Sequence, residues 1–139
     1  IREEVLRRSR EPASLAREVL EMREKMYAAH PNTSGLFDVK HDRGGMIDIE
    51  FIVQYLVLAH SRRHHALTGN LGNIALLRIA AGLGLIAAPL AESARDAYRE
   101  FRRIQHALRL NGARYARVPP EQIRDRSQAV RELWKIVLG

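Results

Sequence analysis

Between Met46 and Leu58 the chain reads MIDIEFIVQYLVL, a run in which no continuous polar face survives at the helical repeat. A helix of that composition has to be covered on all sides, so the remaining segments must supply the cover. Its polar exceptions, Asp48, Glu50 and Gln54, then need partners, because a buried unpaired carboxylate is costly or gives up its charge. The run is entered through Gly44 and Gly45, with a short segment from Leu36 to Lys40 ahead of them that reads as extended or as one arm of a small hairpin.

Two adjacent glycines before a helix leave two readings open. They allow a tight turn, with Asp48 three residues on capping first-turn amides. They also allow a close approach of the helix N-terminus and Lys40 to a phosphate or a catalytic neighbour. Asp48 and Glu50 do not read as a joint metal site, since residues two apart on a helix diverge by about 200°. Glu50 is expected to face Gln54 one turn on and to pair with an Arg of another helix.

The flanking sequence supplies several amphipathic helices. Pro12 suits a first turn, and Leu15, Val19, Met22, Met26 and Ala29 follow as one apolar stripe ending before Pro31. His60, His64 and His65 close the central helix. His60 and His64 have zinc-pair spacing, but no nearby carboxylate offers a third ligand, and cationic residues in a last turn suit the helix dipole. After a Thr68-Gly69-Asn70 loop, Asn70 or Gly72 can cap a helix carrying Ile74, Leu77, Ala80 and Ala81, with Asn73 expected to act locally in its first turn.

From Pro89 to about Leu110 the residues Leu90, Ala94, Ala97, Phe101, Ile104 and Leu108 form a heptad-like seam. Arg95, Arg99, Arg102, Arg103 and Arg109 lie largely off it as a solvated face that an acidic partner could use. Pro119-Pro120 opens a short helical turn with Ile123, Ser127 is expected to cap the last helix, and Trp134 reads as core. The fold class is therefore all-α: a bundle of five to six helices with a short extended Gly-Gly loop before a buried central helix.

Length and composition narrow the function. At 139 residues the chain suits one domain. With no cysteine it has neither disulfides nor thiolate metal sites, which is compatible with a cytoplasmic setting. Its net charge of +7 comes from 20 Arg and 3 Lys, but these are interleaved with acids, as in Arg17-Glu18 and Arg99-Glu100, and no basic stripe points to nucleic acid. Apolar runs break well before the roughly 20 residues of a membrane span. The charged opening without Met suggests a piece of a longer chain. No serine elbow, Cys–His pair or phosphate loop can be assembled from spacing.

The string Phe37-Asp38-Val39-Lys40 through Gly44-Gly45-Met46-Ile47-Asp48-Ile49-Glu50-Phe51 and on to Leu58 resembles the C-terminal helical region of the glutamine synthetase adenylyltransferase family. Glu21 to Met26, Asn73, and Arg131 to Leu138 around Trp134 agree with it. The resemblance implies that residues 1–9 link to an upstream nucleotidyltransferase domain, absent here, and that 10–139 form the helical domain. It also implies an enzyme that transfers AMP from ATP to a tyrosine of glutamine synthetase and removes it again, with magnesium and ATP serving the whole enzyme and neither held by this segment.

Glutamine synthetase and the PII signalling protein are the implied partners, besides the upstream domain. Lys40, Gly44, Gly45, Asp48 and Glu50 are the residues expected nearest the catalytic interface or nucleotide, with the glycine end of the central helix turned towards the missing domain. The related PII uridylyltransferase shares the region but continues into a hydrolase domain, and the end of this chain shortly after Trp134 favours the adenylyltransferase. A docking module presenting the Arg-rich face to an acidic partner is the reading of a different class.

Overall fold

The computed structural model describes residues 12–61, 63, 64, 67 and 72–139. The expected linker helix over residues 1–9 and the Thr68–Asn70 loop lie outside them. The described residues form α1 (Pro12–Ala29), β1 (Phe37–Asp38), α2 (Met46–His60), α3 (Asn73–Gly82), α4 (Ala88–Leu110), β2 (Arg117–Val118), a 3-10 turn (Pro120–Ile123) and α5 (Arg124–Leu138). The all-α expectation holds, and none of these helices is long and apolar enough to cross a membrane.

The bundle is organised around α2, which packs against each of the other four helices. Ile49 and Ile52 are wholly buried and Val53, Leu56 and Val57 nearly so, in contact with a core that includes Leu77 of α3, Phe101 of α4 and Leu133 of α5. Burying each of these side chains contributes on the order of 1.5–3 kcal/mol. The cover is not complete. Gln54 is exposed, and Glu50, Tyr55 and Leu58 are half-buried, so one narrow side of α2 reaches solvent.

In α4 the seam holds, with Ala94, Ala97, Phe101 and Ile104 buried and Leu90 and Leu108 partly so. Three of the arginines off that seam are matched within the helix. Arg95 reaches Glu92, Arg99 reaches Asp96 and Arg103 makes a two-pronged contact with Glu100, each to a carboxylate three residues earlier. Such surface pairs contribute a few tenths of a kcal/mol at most.

Several expectations need correction. The inward stripe of α1 runs through Leu15, Val19 and Arg23, while Met22 is 53% exposed. One position's difference puts a guanidinium where the pattern put a thioether. The extended segment is not an arm of a local hairpin. β1 pairs antiparallel with β2, Phe37 opposite Val118 and Asp38 opposite Arg117, across most of the chain. A two-residue pairing of such separation leaves no period-2 trace in sequence. Ser127 is not the N-cap of α5, because the 3-10 turn runs directly into Arg124. The Ser127 hydroxyl instead donates to the Arg124 carbonyl, 3.2 Å away, and is buried. Trp134 is half-buried at the core's edge.

Candidate functional site

The loop from Asp38 to Gly45 is shaped by two carboxylates. Asp38 accepts the Lys40 and His41 amides, both at 3.0 Å, and faces Arg117 Nε at 3.4 Å. Asp42 accepts the Asp38 amide at 3.0 Å and the Asn32 side chain at 2.9 Å. These bonds turn the chain back so that its carbonyls meet the start of α2. The Val39 carbonyl accepts from the Met46 amide at 2.8 Å, the Lys40 carbonyl from Ile47 at 3.1 Å, and the Asp42 carbonyl from Gly45 at 2.9 Å.

The glycines are needed for that closure. Gly44 has φ +85°, which side-chain-bearing residues rarely adopt, and a Cβ there would lie 2.9 Å from the Ser127 carbonyl oxygen of α5. Gly45 has an ordinary φ of −99°, but a Cβ on it would lie 2.7 Å from the Val39 oxygen, so its constraint is steric. Asp48 completes the turn. Its Oδ2 accepts the Gly44 amide at 2.7 Å, while Oδ1 is bonded by Arg23 Nε from α1.

Arg23 and Asp48 form an ion pair whose side chains are 1% and 5% exposed, and Arg23 Nη2 also donates to the His41 carbonyl at 2.7 Å. Arg23 Nη1 is buried without a partner among the described residues. Arg43 of the loop lies over the Tyr27 ring, 4.5 Å from its centroid, and bonds Glu24, so α1 grips the loop a second time at the surface.

Two residues further along α2, on the opposite side of the helix, Glu50 accepts a hydrogen bond from the Tyr98 hydroxyl at 3.2 Å. That oxygen in turn accepts from Asn73 Nδ2 at 3.1 Å. The partner of Glu50 is thus a phenol, neither Gln54 nor an Arg, and Asn73 bridges to α4 instead of capping α3, whose N-cap is Gly72. Burial, with the Glu50 carboxylate behind it, raises the Tyr98 pKa above its ordinary value against the opposing Asn73 bond, so the phenol keeps its proton and remains the donor.

The structure brings Gly44, Gly45, Asp48 and the Lys40 backbone together in one closed turn and places Glu50 in the separate chain to Tyr98 and Asn73. The open helix end is corrected. The amides of residues 44 to 47 are already bonded within the chain, and α5 sits against Gly44, so these donors are not free for an anion. Asp48 does serve an amide, but that of Gly44, just before the N-cap Gly45, and not the first-turn amides.

Sequence reasoning missed Arg23, Asp38, Asp42 and Tyr98. Arg23 could have been sought from the need of Asp48 for a buried cation at an inward position of α1. Nor do the residues present fit a magnesium ion: among the described residues no group of three or more His, Asp or Glu could hold a metal, and the two buried carboxylates already face Arg23 and Arg117.

His41 stacks on His30 with ring centroids 3.9 Å apart. Partial burial lowers the His41 pKa, Asp38 opposes this, and His30, Lys40 and Arg23 reinforce it. His60 is lowered by burial and then by His64 and Arg63. The folded state thus holds both imidazoles neutral, while the unfolded chain takes up protons near the ordinary 6.5. Stability is full above that pH and falls as pH drops through it towards the lowered folded-state values. A melting series between neutral and mildly acid pH should show this decline, with a shallower slope for H41Q/H60Q; a rise on acidification, or an unchanged slope in the double variant, contradicts it.

For the ion pair, Arg23→Met or Asp48→Asn alone strands a buried charge and should cost about 3–5 kcal/mol in urea unfolding, with Arg23→Met/Asp48→Leu recovering part of the loss. Additive single costs below about 1 kcal/mol would match a surface pair instead.

A family model described as GlnD PII-uridylyltransferase matches residues 13–133. A protein of Bordetella bronchiseptica named bifunctional glutamine synthetase adenylyltransferase/adenylyl-removing enzyme is 58% identical over 99% of this chain and 15% of its own length. Proteins of the same name from Burkholderia pseudomallei and Nitrosomonas europaea are 54% and 49% identical, each over all of this chain and 15% and 16% of their own lengths. The chain therefore spans about a seventh of the relatives it matches. The matched region runs from early α1 into α5 and takes in both the closed glycine turn and the Glu50–Tyr98–Asn73 chain. On that match, the chain belongs to the GlnD PII-uridylyltransferase family.

Proposed function

We propose that this chain is the helical accessory domain of a cytoplasmic bifunctional glutamine synthetase adenylyltransferase/adenylyl-removing enzyme that regulates nitrogen assimilation. The observation that carries the reading is the near-complete coverage of this chain, at 58% identity, by a protein of that name which is several times longer. In that setting, AMP passes from ATP to a tyrosine hydroxyl of glutamine synthetase. Binding of magnesium and nucleotide falls to an upstream nucleotidyltransferase domain, and this domain completes the cleft and takes part in docking glutamine synthetase and the PII protein.

The five residues singled out by sequence divide by role in this reading. Gly44, Gly45 and Asp48 are buried and act by fixing the turn. Lys40 and Glu50 are half-buried, which leaves them able to meet the nucleotide or the neighbouring domain. The outer Arg face of α4 is a weaker docking surface, because Arg99 and Arg103 are already matched by Asp96 and Glu100. The family description favours a second reading, the equivalent domain of a PII uridylyltransferase.

The two readings separate by label transfer. Full-length protein carrying this domain is given labelled ATP with glutamine synthetase, or labelled UTP with PII. The first reading expects AMP on glutamine synthetase, lowered at least about tenfold, or about 1.4 kcal/mol, by Lys40→Ala or Glu50→Gln at unchanged melting temperature. Label on PII alone would assign the second. Full adenylylation by both variants would remove Lys40 and Glu50 from the catalytic interface.

A further inference from the structure

Beside the Glu50–Tyr98–Asn73 chain, between the start of α3 and the middle of α4, lies a hollow of about 930 Å³. Arg78, Arg95 and Arg102 line it with Asn73 and Tyr98, and Ile74 and Ile79 give it an apolar side. Three guanidiniums converge on one concavity, and their compensation is poor. Arg95 Nη1 bonds Glu92 at 2.6 Å, but its Nε is sealed from solvent with no hydrogen-bond partner among the described residues. Among the described residues neither Arg78 nor Arg102 has a carboxylate partner, and Arg102 lies over the Tyr98 ring, 5.9 Å from its centroid. The Glu50 carboxylate accepts from the Tyr98 hydroxyl and does not itself line the hollow.

The contrast with the rest of α4 is informative. Arg99 and Arg103, one turn away on the outer face, are matched by Asp96 and Glu100. Arg78 and Arg102, by contrast, bring charge to the hollow that no carboxylate among the described residues matches. α3 adds to it, because Gly72 provides no side-chain cap and Asn73 is turned to Tyr98. The first turn of a ten-residue helix thus opens into the same space with its N–H groups and the positive end of its dipole. Guanidinium forks match the oxygens of phosphate groups two at a time, and the volume is that of a pocket for a nucleotide-sized molecule.

We propose that this hollow binds an oligophosphate, free or carried by a nucleotide, with Arg78, Arg95 and Arg102 holding its charge and the apolar side receiving any attached group. Every group in this site belongs to this chain, so its ligand binding does not depend on the adenylyl-transfer reading.

The test is calorimetric titration of the 139-residue chain with inorganic tripolyphosphate and, separately, with ATP. Arg78 and Arg102 are exposed, so R78Q/R102Q should fold as the parent does, which a melting curve checks. Loss of two charge-assisted contacts should weaken binding by at least about tenfold. R103Q/R109Q, which removes the same charge from the outer face of α4, should leave the affinity within about twofold.

Tighter binding of ATP than of tripolyphosphate would identify a nucleotide as the ligand, and equal binding the oligophosphate alone. Absence of binding, or equal weakening in the two double variants, would overturn the proposal, the latter by showing only the diffuse attraction of a basic protein.

Discussion

A guanidinium and a carboxylate sealed from water between α1 and α2 hold the rest of this molecule in register. Arg23 reaches inward from α1 and meets Asp48 in the first turn of α2, and its other arm holds the His41 carbonyl. Neither charge is tolerable there alone. The pair therefore dictates which face of α1 is turned in, how far the loop between the helices may stray, and where α2 begins. Because the net worth of a buried pair over apolar packing is small, its main contribution is to specify geometry.

The consequence for function lies in the helix end. A glycine pair before a helix invites an anion-binding reading, since the motif is a common way of presenting free amides to phosphate. Here the same glycines do the opposite. They let the loop fold so closely onto α2 that its own carbonyls and the Asp48 carboxylate take up the amides, with α5 seated against Gly44. Positive charge without internal compensation is found elsewhere, at the hollow between α3 and α4, where Arg78 and Arg102 have no carboxylate partner among the described residues. Structural closure thus belongs to the glycine turn, and the proposed ligand site to the start of α3 and the middle of α4.

How much of this could be read from sequence follows the kind of force involved. The all-round apolar run of α2 and the seam of α4 were legible, because burial of a helix imposes a period that a string of letters displays. The family resemblance was legible from the glycine–Asp-Ile-Glu-Phe string, and the match over residues 13–133 agrees. Pairings between distant residues were not. Arg23 is one charge among several on an amphipathic helix and sits next to Met22, so the apolar pattern gives Met22 the inward place that Arg23 takes, while Leu15, Val19 and Met26 keep theirs. β1 and β2 are two residues each, too short for alternation to show. An Arg of another helix is the simplest partner for Glu50 in sequence, yet the geometry of α4 brings a tyrosine within reach. In each case the partner is set by three-dimensional packing that no local window contains.

The central claim, that the chain itself closes the leading end of α2, is open to amide hydrogen exchange. The account expects the amides of Gly44, Gly45, Met46 and Ile47 to exchange as slowly as those in the interior of α2, since all four are bonded within the fold and can exchange only when α1 and the loop come away. Exchange of these four at the rate of open loop amides, with the rest of α2 still protected, would mean that the turn is loose and its donors free, contradicting the account.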